Sequence, residues 1–335
     1  MGIEKLIDEK FRGCVSVCKD GVRIFERAYG YADLANEVSN DIDTIFATAS
    51  AGKVFVAVGI LMLIEKKILR FDTKISEILD FDLRQIDGNI TVEELLTHTS
   101  GIPDYFDESV MDEYEELWKD FPNYRIRSNT DLLPLFIDKP MMYPHGSRFQ
   151  YNNTGFVVLA MIIEKIAGKD FDIYLKESIF IPCKMNSTGY YELDRLPAKC
   201  ASNYIYDEIR SEYRTNIYCV DAKGTGAGGA FTTVNDIKLF WDNLLNYRLL
   251  SLDMTENMLK NHSNEEECYG YGIWLQKIES KYIPYFQGSD PGVSFISSYN
   301  KDKKLLITLI SNYGDNVWKI HGNIVKDVLT SQEKI

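Results

Sequence analysis

The chain has 335 residues, 45% hydrophobic and 26% charged, enough for a large buried core and far from disordered or fibrous compositions. Its formal net charge of -13 repels phosphate backbones and anionic headgroups, so nucleic acid is not an expected partner. The longest apolar run, Val54 to Ile64, covers 11 residues, well short of the about 20 that a membrane span needs.

The N-terminal residues include Glu4, Asp8 and Glu9 where a secretion signal would be apolar, and Leu6 stands where a myristoylation signal carries Ser or Thr. A cytoplasmic location is the corresponding expectation. Gly13 to Gly30 alternates apolar residues on either side of Lys19-Asp20-Gly21, which predicts a β-hairpin. Thr48-Ala-Ser-Ala-Gly-Lys53 then leads into the apolar run, placing Ser50 at the start of a buried helix that ends near Glu65-Lys-Lys67.

From about Phe71 the pattern becomes helical: Ile90 to Thr97 is amphipathic, and Asn153 to Ala167 reads as a helix stopped by Gly168. Between them, Tyr105 to Tyr143 is charged and aromatic without a clean period, suiting helices plus a surface lid. Gly224-Thr-Gly-Ala-Gly-Gly-Ala230 lacks the G-K-[ST] ending of a phosphate loop and reads as a tight packing turn before a helix over Thr233 to Leu245. Period-2 segments follow at Tyr271–Gln276, Tyr282–Phe286, Gly292–Tyr299 and Lys304–Ser311, then a helix near Asn316 to Leu329. Strands at both ends and helices between them predict an α+β fold: an antiparallel β-sheet flanked by helices, built from both termini, with an inserted mostly helical domain. The expected division is 1–72 with 221–335 for the sheet domain and 73–220 for the helical one, with the active site between them.

The six cysteines (Cys14, Cys18, Cys183, Cys200, Cys219, Cys268) contain no C-x-x-C pair and read as free buried thiols. No His/Cys/Asp cluster has metal-ligand spacing, so neither metal nor other cofactor is expected.

Four Ser-x-x-Lys strings occur: Ser16/Lys19, Ser50/Lys53, Ser298/Lys301 and Ser331/Lys334. The first and third fall on predicted hairpin turns and the last at the C-terminus. Only Ser50/Lys53 opens an apolar helix, where i and i+3 share one face. A serine hydroxyl needs a base to become a nucleophile, and a lysine serves when burial lowers its pKa. The helix N-terminus adds backbone N–H donors, that of Ser50 included, for a developing oxyanion.

Thr48-Ala-Ser-Ala-Gly-Lys53, Ile90-Thr-Val-Glu-Glu-Leu-Leu-Thr-His-Thr-Ser-Gly-Ile102 and Phe149-Gln-Tyr-Asn-Asn-Thr-Gly-Phe156, in that order, resemble the class C β-lactamase and D-Ala-D-Ala carboxypeptidase family of penicillin-binding serine hydrolases. The resemblance runs from about Gly13 to Ser311, and Tyr-x-Asn occurs once among 21 tyrosines, at Tyr151. It implies a β-lactamase/transpeptidase-like fold, an acyl-enzyme on Ser50, proton transfer by Lys53 and Tyr151, and binding of a substrate amide by Asn153. The third motif departs. Family members carry Lys or His, then Thr or Ser, then Gly, whereas Phe286-Gln-Gly288 stands here and only Gly288 is kept.

The backbone amide of Ser289 can still supply the second oxyanion donor. The missing cation weakens the expectation of a substrate carboxylate, so amide, β-lactam and ester hydrolysis all stay open, with a small molecule or short peptide as acyl donor. His98 reads as a structural hydrogen-bonding residue, and Asp104 and Asp290 as turn or loop acids. The alternative is a catalytically idle member of the fold that binds a peptide or protein partner. Oligomeric state is not legible.

Overall fold

The computed structural model describes residues 2–263, 266–278 and 280–330, so Ser331 and Lys334 lie outside the described residues. Strands β1 (Gly13–Lys19) and β2 (Val22–Tyr29) form the expected hairpin, with Asp20 and Gly21 at positive φ in its turn. Two short pairs follow: β3 (Tyr31–Asp33) with β4 (Val38–Ser39), and β5 (Phe46–Ala47) with a strand far along the chain. A 3-10 turn over Ala49–Gly52 carries Ser50, and α1 (Lys53–Glu65) begins only at Lys53. The nucleophile candidate therefore sits in the turn before the helix. Ala49 adopts φ +49°, a left-handed conformation that keeps a helix from starting earlier.

The helix α2 (Val92–Leu96) is closed by a Thr91/Glu94 capping box, and α3 (Asn153–Ala167) runs from an Asn152 N-cap to left-handed Gly168. Tyr105 to Tyr143 holds 3-10 turns, at Tyr114–Trp118, Asn123–Arg125 and Asn129–Leu135, and no α-helix, short of the helices expected there, because the segment lacks a helical period and Pro134 interrupts it. Then come α4 (Phe171–Leu175), the hairpin β6 (Tyr204–Asp207) and β7 (Glu212–Thr215), and β8 (Phe231–Thr232), the partner of β5. Thr233 caps α5 (Val234–Leu245), and α6 (Leu252–Met258) precedes the last four strands. These are β9 (Trp274–Ile278), β10 (Lys281–Asp290), β11 (Val293–Asn300) and β12 (Leu305–Ser311), followed by α7 (Val317–Thr330).

One antiparallel sheet of six strands results, in the order β2-β1-β12-β11-β10-β9, so both ends of the chain meet at its centre as the strand pattern predicts. Along β1 the residues alternate between two cores. Cys14 and Cys18 face the large core around α1, whereas Val15 and Val17 join Ile307 and Leu309 of β12 and the α7 residues Val317, Ile320 and Ile324. With both faces covered, β12 is buried throughout. Inside the large core α1 is buried almost all round, with Phe55 edge-on to Phe180 and Phe240 at 5.2 and 5.1 Å between ring centres. No helix among the described residues is long and apolar enough to cross a membrane.

Two features of β10 shape the site. Its pairing with β9 runs from Lys281 to Tyr285 and stops, leaving Phe286–Asp290 without a strand partner on that side among the described residues. That free stretch presses on the Ser50 turn: a Cβ at Gly288 would lie 2.2 Å from the Thr48 carbonyl oxygen and 2.7 Å from the Ser50 nitrogen. Only glycine fits. Gly288→Ala is expected to lower the unfolding free energy by about 1–3 kcal/mol or more, read from the urea midpoint, because neither backbone can retreat cheaply; an unchanged midpoint would show that strand and turn part freely.

Candidate active site

The turn that holds Ser50 is fixed by backbone contacts from the glycine-rich segment. Thr48 N and Thr48 Oγ1 both donate to the Ala230 carbonyl, at 2.9 and 2.8 Å, and Gly229 N donates to the Ala49 carbonyl at 3.0 Å. A Cβ on Gly228 would lie 2.6 Å from that same Ala49 oxygen. The segment is thus the packing turn that its sequence suggests, and Gly228 and Gly288 approach Ser50 from different parts of the chain. Left-handed Ala49, next to Ser50, stores about 1–2 kcal/mol of backbone strain.

Lys53 is 2% exposed at the start of α1. Its Nζ lies 2.9 Å from Ser50 Oγ and 2.8 Å from Asn153 Oδ1, and it also donates to the Ala227 carbonyl. Burial draws the amine down to about 8, against the opposing pull of Glu108, Asp104 and Asp290. Glu108 and the Ala227 carbonyl carry no sequence signal of this role, because neither stands in a motif.

Tyr151 and Asn153 are positioned by the start of α3. Asn152 caps the helix, its Oδ1 accepting from Gly155 N at 2.8 Å and its Nδ2 donating to the Ile102 carbonyl at 2.8 Å. Asp104 is 5% exposed and accepts from Asn153 N at 2.8 Å and from Thr154 N and Oγ1 at 3.0 Å each. It is therefore more than a loop acid: it anchors the first turn of α3, where a negative charge meets the free N–H groups. Asn153 Nδ2 donates to the Phe106 carbonyl at 3.0 Å and to Glu108 Oε1 at 3.2 Å.

The Tyr151 ring is stacked on Trp274 at 5.8 Å and tilted against His98 at 4.5 Å, while Lys53 Nζ stands 4.9 Å from its centre. Its side chain interacts with that of Ser50, and burial holds the phenol well above its ordinary value. His98 is 1% exposed; Nδ1 accepts from Asn152 N at 3.1 Å, so Nε2 carries the proton toward the Tyr269 hydroxyl, also at 3.1 Å. Both ring nitrogens are engaged in structure, as the sequence suggests, and burial keeps the imidazole neutral.

Ser50 and Asn153 line a cavity of about 570 Å3, together with Ser289, Asp290, Asp221 and Glu108. Lys53 is buried and is not among the residues that line it. Phe286, in the place of the third motif's cation, is stacked between Trp241 at 5.4 Å and Phe295 at 5.5 Å and contributes nothing polar. Asp290 does sit at the β10–β11 turn, as its sequence context suggests, yet it also faces the cavity. All six cysteines are free.

A family model described as "Beta-lactamase" matches residues 3–319. Penicillin-binding protein 4* of Bacillus subtilis is 28% identical over 330 residues, spanning 92% of this chain and 70% of its own length. The teichoic acid D-alanine hydrolase of Staphylococcus aureus is 24% identical over 323 residues, covering 95% of this chain and 75% of that one. Among solved structures, a penicillin-binding protein from Bacillus halodurans superposes with a TM-score of 0.92 at 34% identity, over 97% of this chain and 99% of that one. A D-amino acid amidase from Ochrobactrum anthropi shares the fold, with a TM-score of 0.83 at 20% identity over 99% of both chains.

Asp290 is pushed from the ordinary 3.8 up to about 8, by burial first and by neighbouring Asp221 second. The native protein then holds a proton that the unfolded chain has lost, so this group withdraws stability as pH rises from about 4 to about 8. Asp290→Asn is expected to raise the melting temperature over the native protein by a margin that widens across that window; a margin independent of pH between about 4 and about 9 would contradict it.

Proposed function

The chain belongs to the beta-lactamase family of serine hydrolases, and from that premise we propose that Ser50 is its nucleophile, with Lys53 as base and Tyr151 as proton donor. One observation carries the reading: a buried lysine amine 2.9 Å from a serine hydroxyl that lines a cavity. The amine loses its proton near pH 8 and the phenol far above that, so around neutrality Lys53 is the group able to accept the Ser50 proton. Oγ then attacks the acyl carbon, and the oxyanion is met by the backbone N–H groups of Ser50 and Ser289.

Collapse of that intermediate expels an amine or alcohol, which takes the Tyr151 hydroxyl proton. The ammonium newly formed on Lys53 stands over the Tyr151 ring and favours the phenolate left behind. Water then attacks the acyl-enzyme by the same steps in reverse. Asn153 orients Lys53 through its Oδ1; a substrate amide that reaches its Nδ2 exchanges with the Glu108 contact. Gly288 brings β10 within reach of the reacting carbonyl.

The division of labour between a sheet part, 1–72 with 221–335, and a helical part, 73–220, belongs to this reading: Ser50, Lys53 and Ser289 come from the first, Tyr151 and Asn153 from the second. The acyl donor is a small molecule or short peptide. D-aminoacyl esters and amides join β-lactams as candidates, since relatives bear the names of a D-alanine hydrolase and of penicillin-binding proteins.

A fluorophosphonate probe is expected to label Ser50 covalently, with labelling abolished in Ser50→Ala and slowed about 100- to 10,000-fold in Lys53→Met. The free amine exists only above its pKa, so the labelling rate should climb with pH and level off beyond about 8. Labelling of a different residue, or a rate indifferent to Lys53, would overturn the assignment.

A further inference from the structure

The cavity over Ser50 has an anionic wall. Glu108, Asp112, Glu113, Glu115, Asp221 and Asp290 line it, against Arg214 as the one basic lining residue among those described. Arg214 is already neutralised by Glu115 at 3.1 Å, and its other arm donates to Cys219 Sγ at 3.0 Å. Lys53, which does not line the cavity, is engaged by Ser50, Asn153 and the Ala227 carbonyl. Where the family's third motif offers a cation to a substrate carboxylate, Phe286 is 3% exposed within an aromatic stack. A carboxylate entering this cavity finds no unpaired cation among the described lining residues, whereas an ammonium meets acids that it can ionise and pair with.

Of the three acids Glu108, Asp221 and Asp290, the last is the one left free. Glu108 accepts from Asn153 at 3.2 Å and Asp221 from the Tyr114 hydroxyl at 3.1 Å, but Asp290 has no hydrogen-bond or ion-pair partner among the described residues. It stands two residues beyond Gly288, whose backbone abuts the Ser50 turn, and near enough to Lys53 for each to feel the other's charge. An unpartnered acid and a serine–lysine pair thus open into one cavity, and the serine requires an acyl donor there whatever its charge.

We infer that this acyl donor is cationic: an aminoacyl ester or amide whose unblocked ammonium sits against Asp290, with Asp221 and Glu108 behind it. The inference rests on the reading of Ser50 as nucleophile and adds the charge of the substrate. An ammonium brings three donors to a carboxylate that has none. In the free protein burial pushes Asp290 up to about 8 and Asp221 up to about 7, a condition that a neighbouring cation reverses by favouring their ionised forms.

The test compares alanine p-nitroanilide, in both enantiomers, with its N-acetyl and N-succinyl derivatives, which place a positive, neutral or negative charge on the acyl part. On the native protein kcat/KM for the free amine of the preferred enantiomer is expected to exceed that of the N-acetyl compound about 10- to 100-fold, with the N-succinyl compound slower still. In Asp290→Asn the first ratio should fall toward unity, and in Asp221→Asn it should fall less. Fluorophosphonate labelling of Ser50 is followed in parallel. If Ser50 is labelled but the N-acetyl or N-succinyl compound is preferred, the cation site is overturned and the serine hydrolase reading stands; absence of both labelling and turnover overturns both. Should Asp290→Asn not unfold cooperatively, the native ratio and Asp221→Asn decide.

Discussion

The site depends on keeping one lysine amine out of water without leaving it unpaired. An isolated buried cation costs several kcal/mol, and Lys53 avoids that cost in two ways. It has three polar neighbours from three separate stretches of chain, Ser50, Asn153 and Ala227, and its proton is held loosely enough to leave near pH 8. Each neighbour imposes a condition of its own. Asn153 reaches the amine because α3 starts there, and α3 starts there because Asn152 and buried Asp104 satisfy its first N–H groups. Ala227 reaches it because glycines at 226 and 228 let the backbone come close: a Cβ on Gly226 would lie 2.1 Å from the Phe156 carbonyl oxygen.

Much of this is legible in the sequence where the signal is local. The hairpin at Asp20-Gly21, the ends of α3 at Asn152 and Gly168, and the Thr233 cap of α5 each rest on a few adjacent residues with a definite stereochemical demand. Ser50 is separated from three other Ser-x-x-Lys strings by the apolar run after it. What stays hidden depends on distant parts meeting. Asp104 and Asp290 look alike as sequence, each an acid beside a turn, yet one is tied to three donors of α3 and the other is left facing the cavity. No local pattern distinguishes a carboxylate that closes a helix from one that waits for a ligand. The short hairpin of β6 and β7 likewise leaves no mark in the sequence, its strands of four residues being too brief for a period to show.

The altered third motif follows from packing. On β10, Phe286 and Gly288 are two residues apart and so share a face of the strand. Gly288 presses on the Ser50 turn, while Phe286 enters the stack with Trp241 and Phe295 that seats β10 on α5 and β11. A hydrophobic anchor has replaced a ligand-binding charge, and the strand that delivers Ser289 is held by aromatic burial. The backbone part of the motif survives because an N–H donor does not depend on which side chain stands beside it.

The free stretch Phe286–Asp290 has a consequence outside the chemistry. A strand edge without a partner invites pairing with the edge of another molecule, and catalytic access leaves such an edge open. Here it is short, and it ends in Asp290-Pro291, an acid followed by a residue with no N–H to offer a ladder. The brevity of the free stretch and the missing N–H of Pro291 therefore discourage a second chain from zipping onto the strand, while the site beside it stays open to a substrate.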